Sequence, residues 1–112
     1  MQIQLTDIKN DEIKYNHQKD LYLSLNKLYS NPDFIKVFKT YYCSEYVLEL
    51  VKDLSTYTDD TIEHKEILFE LSVISSFQKF LNIIQTNGAM AIPSLSDLNA
   101  IPLSAVDAEQ AI

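Results

Sequence analysis

The only glycine in the chain is Gly88, and it separates two kinds of sequence. All six alanines follow it, together with Pro93 and Pro102, whereas every aromatic residue and every lysine precedes it. Bulky apolar and aromatic side chains can build a core; a stretch of small residues and turn formers cannot build one of its own. The division is therefore a helical body, residues 1–87, and an Ala/Pro/Ser-containing tail, residues 88–112. A total of 112 residues suffices for one small domain.

The body reads as helix throughout. From Asp11 to Ser30, Leu21, Leu25, Leu28 and Tyr29 fall on one helical face, and Tyr15, Tyr22 and Tyr29 repeat every seven residues beside it. Asn31-Pro32-Asp33 breaks and restarts the chain, because Asn caps, Pro suits the first helical position and Asp suits the positive end of the dipole. The short helix that follows is expected to bury Phe34, Val37, Phe38 and Tyr41 and to expose Lys36 and Lys39. Ser44 is a candidate cap for a third helix, Glu45 to Leu54, with Val47, Leu50, Val51 and Leu54 in register. The polar run Ser55 to Thr61 reads as a loop.

A fourth helix is expected to start near Thr58 to Thr61 and to stop at Asn87-Gly88, since Gly accepts the left-handed conformation that ends helices. Its apolar set is Ile67, Leu68, Leu71, Ile74, Phe77, Leu81 and Ile84, with Phe69, Val73, Phe80 and Ile83 spilling round the cylinder. A stripe that wide needs cover on two sides. The fold class is thus all-α, a small bundle of about four helices with a long C-terminal helix and an extended or short-helical tail. Phe69, Val73, Phe80 and Ile83 are the candidate association face.

In the tail, Ala91-Ile92-Pro93 recurs as Ala100-Ile101-Pro102, and each copy precedes a Ser-x-x-Asp element of the kind that caps a short helix. Such a segment can dock apolar anchors on a partner or sister subunit, here Ile92, Pro93, Leu95, Leu98, Ile101, Pro102 and Leu103.

Chemistry-bearing motifs are few. All nine basic residues are Lys and the net charge is −7, which argues against sequence-independent binding to nucleic acid phosphates. One Cys, Cys43, supports neither a zinc site nor a disulfide framework. His17 and His64 lack a second ligand at metal spacing, and Asp59, Asp60, Glu63 and Glu66 fit the positive end of a helix without a cation. Cys43 has no adjacent base. We therefore expect no catalytic residues, no metal and no cofactor. The first twenty residues lack a signal-peptide pattern, and the apolar stretch Leu71 to Ile84 is shorter than the roughly 20 residues of a spanning helix, so a soluble chain without membrane contact is expected.

Leu25, Leu28, Asn31-Pro32-Asp33-Phe34, Val37, the turn Tyr41-Tyr42, Glu45, Val47-Leu48 and Val51 form a pattern that resembles small acidic helical proteins encoded among the structural genes of tailed bacteriophages. Ser76-Phe77-Gln78-Lys79-Phe80-Leu81 and Gly88-Ala89-Met90-Ala91 extend it, so that it covers roughly residues 21–91. The resemblance implies a non-enzymatic structural or assembly component of a phage particle. It would act by contacts with capsid, portal or tail proteins or with sister subunits, as a homo- or hetero-oligomer, in the virion and in the host cytoplasm during assembly. The alternative is a small acidic regulator that inhibits a host protein. A phosphate mimic would concentrate its carboxylates, whereas the body sets nine Lys against thirteen acids.

Overall fold

The computed structural model describes residues 5–100, and every regular element among them is helical. Helix α1 spans Leu5–Tyr29 and so begins before the apolar repeat at Asp11. Its inward positions are Ile8, Tyr15, Tyr22 and Tyr29, half-buried, with Leu25 buried among them. The tyrosine repeat is therefore the inner stripe. Of the expected leucine face, Leu21 and Leu28 are exposed.

Asn31 caps the next segment as expected: its Oδ1 accepts hydrogen bonds from the backbone N–H of Asp33 (2.9 Å) and Phe34 (3.3 Å). Helix α2 is a single turn, Pro32–Phe34, and it leads without interruption into a π-helix, Ile35–Glu45, and then into α3, Tyr46–Leu54. The separate second and third helices expected from the sequence are one continuous run. Ser44 caps nothing, because no Gly or Pro follows Pro32 to break the chain there.

The winding also moves the buried face. In the π-helix each N–H reaches back five residues, as Tyr46 N–H does to the Tyr41 carbonyl, so a turn holds more residues than the 3.6 of an α-helix. A face drawn at α-helical spacing then drifts outward. Phe34 is half-buried as expected, but Val37, Phe38 and Tyr41 are exposed, and Ile35, Tyr42 and Cys43 turn inward instead; at the start of α3, Tyr46 and, as expected, Val47 are half-buried. In α3, Leu50 is buried and Leu54 half-buried, whereas Val51 is exposed.

The hydroxyls of Ser55 and Thr56 donate to the carbonyls of Lys52 and Asp53 (2.6 Å each) at the end of α3, where the Asp53 carbonyl also accepts from the Thr56 N–H (3.0 Å). Thr61 then caps α4, its Oγ1 accepting from the His64 N–H at 3.2 Å. Helix α4 spans Ile62–Asn99. The expected stop at Asn87-Gly88 is not there. Gly88 has no positive φ; it lies inside the helix and is buried. Pro93 is accommodated within the helix, where it removes one backbone donor, and the Ser94 hydroxyl donates to the Met90 carbonyl nearby (2.9 Å).

The chain divides into two compact units. One comprises Met1–Leu25 and Ile84–Ile112, the other Asn26–Ile83. The expected bundle of about four helices is thus replaced by two packing units, built from three uninterrupted helical stretches.

In the first unit, α1 and the end of α4 run antiparallel: Tyr22 and Gln18 lie against Gly88, and Tyr15 and Lys14 share a groove with Ala91 and Ser94. A Cβ added at Gly88 would overlap the Cβ of Tyr22 and sit 3.0 Å from the Gln18 carbonyl oxygen. The lone glycine is there to let two helices approach, and the small Ala91, 1% exposed, continues the same contact line.

In the second unit, rings do the packing. Tyr29, Phe34, Phe38, Phe77, Tyr42 and Tyr46 follow one another with centroids 5.2 to 6.1 Å apart, and the edge-on Tyr42–Phe77 pair ties the π-helix to α4. Such pairs contribute about 0.5–1.5 kcal/mol each beyond area burial. Ile74, 1% exposed, is the most deeply buried large side chain, with Leu50 and Leu81 also buried.

Candidate functional site

Helix α4 presents two stripes. The inward one, Ile67, Leu71, Ile74, Phe77, Leu81 and Ile84, is buried or half-buried as the sequence implied, except that Leu68 is exposed. The outward one holds the four candidate association residues. Phe69 is 72% and Phe80 51% exposed, and Val73 and Ile83 are exposed with them. Ile62, at the start of the helix, adds a fifth side chain at 67%. All five lie in the second unit.

These positions keep a strict spacing. Ile62, Phe69, Ser76 and Ile83 are seven residues apart, and Glu66, Val73 and Phe80 interleave with them four residues after each of the first three. That is the a/d repeat by which two helices wind around each other. The sequence reading picked out four of the residues by their overflow from the inner stripe. Ile62 and the heptad register are legible in the sequence by the same spacing.

The tail anchors that the structure describes lie on a long helix and not on the expected extended or short-helical tail. Ile92, Pro93, Leu95 and Leu98 are on α4: Ile92 and Pro93 are exposed, Leu95 and Leu98 half-buried. Ile101, Pro102 and Leu103 lie outside the described residues.

Polar groups form local pairs. The Tyr46 hydroxyl donates to Glu70 Oε1, which with partial desolvation pushes the phenol up to about 12. Tyr41 donates to Glu49 Oε2 at 3.3 Å, and its phenol is raised by desolvation first and by the Glu49 carboxylate second. His64 Nε2 lies 3.4 Å from Asp59 Oδ1, while its Nδ1 is buried without a partner. His17 is exposed. Cys43 is a free, half-buried cysteine whose carbonyl accepts from Gln78 Nε2 at 3.3 Å. Among the described residues no three His, Cys, Asp or Glu side chains converge as a metal site.

Two grooves accompany these elements. One of about 400 Å³ follows the π-helix between Lys36, Val37, Thr40, Tyr41 and Glu45; the other, about 220 Å³, lies between α1 and the end of α4. Neither contains a cysteine or histidine.

Helix α4 is long and apolar enough to cross a membrane by length and composition, whereas the run Leu71 to Ile84 taken alone is shorter than a span. Lys79 lies near its middle, where a bilayer would charge about 2.5–3.5 kcal/mol for a cation, and its inner stripe already has protein partners.

No protein-family profile, curated protein or solved structure matches the chain.

Proposed function

We propose that the chain is a non-enzymatic assembly component that works by protein–protein contact, and that it serves in a tailed-phage particle. The observation that carries the contact role is the outward stripe of α4. Phe69, Val73, Phe80 and Ile83 stand in water on a helix whose adjoining stripe already holds the fold. An apolar strip of that length on a regular, capped helix is the signature of a surface that another protein covers.

The particle role rests on the resemblance over residues 21–91. The reading places the chain in the virion, and in the host cytoplasm during assembly, as one member of a homo- or hetero-oligomer that touches capsid, portal or tail proteins but neither nucleic acid nor membrane. Mass spectrometry of purified particles tests it. Peptides of this chain should appear in intact particles at a fixed ratio to the major capsid protein, and their absence would remove the particle role. Cosedimentation of the chain with lipid vesicles would instead direct α4 to a membrane.

A further inference from the structure

We infer that the outward stripe of α4 is a self-pairing seam: a second copy of this chain docks on it, with the two α4 helices parallel and in register. The inference rests on the contact role proposed above and names the occupant of its surface.

Three observations lead there. First, Ile62, Phe69, Ser76 and Ile83 occupy d positions and Glu66, Val73 and Phe80 the a positions of three consecutive heptads, and a seven-residue repeat suits a partner helix that follows the same repeat. The chain's own inner contacts use other positions, Ile67, Ile74 and Leu81 at b and Phe77 at e, so the seam is open while the fold is complete.

Second, the area suffices. The five apolar side chains of the seam leave on the order of 500 Å² exposed per copy, so a two-fold pair that covered them fully would bury about 1,000 Å², the size at which specific interfaces begin.

Third, one pair of charges at its edges is complementary between copies. Lys65 and Lys79 border one side of the seam at g, and Glu63 and Glu70 border the other at e. A parallel, in-register pair brings each g residue to the e residue five positions on in the other chain, which sets Lys65 against Glu70. Tyr46 occupies only Oε1 of that carboxylate, so Oε2 is left to accept from lysine. Antiparallel pairing brings g to g and e to e, and this match is lost. Glu66 is the one charged residue on the seam itself and lies in the first turns of α4, at its solvated end.

The full chain, purified alone, provides the test. Sedimentation velocity over a concentration series should show a dimer, and Phe69→Asp and Phe80→Asp should each convert it to monomer with helical circular dichroism retained. A second variant, a conservative change at a d position of the seam, reads orientation: with Cys43→Ser in the background, Ser76→Cys should form a disulfide-linked dimer on mild oxidation, because in-register pairing sets the two exposed residue-76 positions side by side. A wild-type chain that stays monomeric overturns the self-pairing, as does a dimer that both aspartate variants leave intact. A seam-dependent dimer that does not cross-link through residue 76 overturns the parallel register. A monomeric chain still found in purified particles would leave the assembly role standing with a different occupant on α4, so the two failures are distinguishable.

Discussion

The unit formed by α1 and the end of α4 and the unit formed by Asn26–Ile83 pack their helices with opposite side chains. In the first, Gly88 and Ala91 remove side-chain bulk from α4 so that Tyr22 and the Gln18 carbonyl of α1 can come close. In the second, a chain of rings from Tyr29 through Phe77 to Tyr46 fills the space between the widened helix and α4. Close contact between backbones tolerates no added atom, whereas a contact made by half-exposed rings can adjust by rotation. The first should fail sharply on enlargement and the second on removal of its few buried aliphatic side chains.

The largest expected effect is in the ring-packed unit. Ile74→Ala deletes its most deeply buried side chain and should lower the free energy of unfolding by about 2–5 kcal/mol in a urea titration. A cost near zero would mean that the rings alone hold that unit.

Next comes Gly88→Ala, whose sign separates two accounts of the same residue. Inside a helix that touched nothing, alanine would stabilise by about 1 kcal/mol. Against Tyr22 it should instead destabilise by about 1–3 kcal/mol, because the added methyl meets a Cβ atom that cannot rotate away. A stabilised variant would show that the close approach does not form.

Asn31→Ala removes a cap that accepts from two backbone donors and should cost about 1 kcal/mol. The smallest effect is pH-dependent. With the Tyr46 phenol raised from 10.0 to about 12 in the fold, its contribution is complete below pH 10 and is lost as pH rises from about 10 through about 12. Tyr46→Phe should flatten the stability profile in that window; an unchanged profile would mean that the Glu70 bond adds nothing to folding.

Legibility in the sequence followed the locality of the signal. The Asn31-Pro32-Asp33 cap, the polar loop before α4 and the inner stripe of α4 were readable because each depends on residues within a few positions of one another. The π-helix is not legible in this way: a face drawn at period 3.6 buries Val37, Phe38 and Tyr41, which are exposed, and the rings of Phe38 and Tyr42 meet Phe77, far away in sequence on α4. The role of Gly88 likewise depends on a distant residue. Its neighbours Asn87 and Ala89 suggest a helix stop, and only Tyr22, far away in sequence, explains why glycine is needed within the helix. The compositional change at Gly88 is real, but from Gly88 through Asn99 it marks small residues on a continuing helix. Of the candidate surface, Phe69, Val73, Phe80 and Ile83 were legible as an excess of apolar residues over what one inner stripe can use.

The central claim is that α4 holds its own fold with one stripe and a second copy with the other. Thermal melting at several total concentrations tests it most directly, since a folded dimer gains stability by mass action and a monomer does not. The account predicts that Tm of the wild-type chain rises with concentration and that Tm of Phe80→Asp does not. A wild-type Tm independent of concentration across the micromolar range would contradict it.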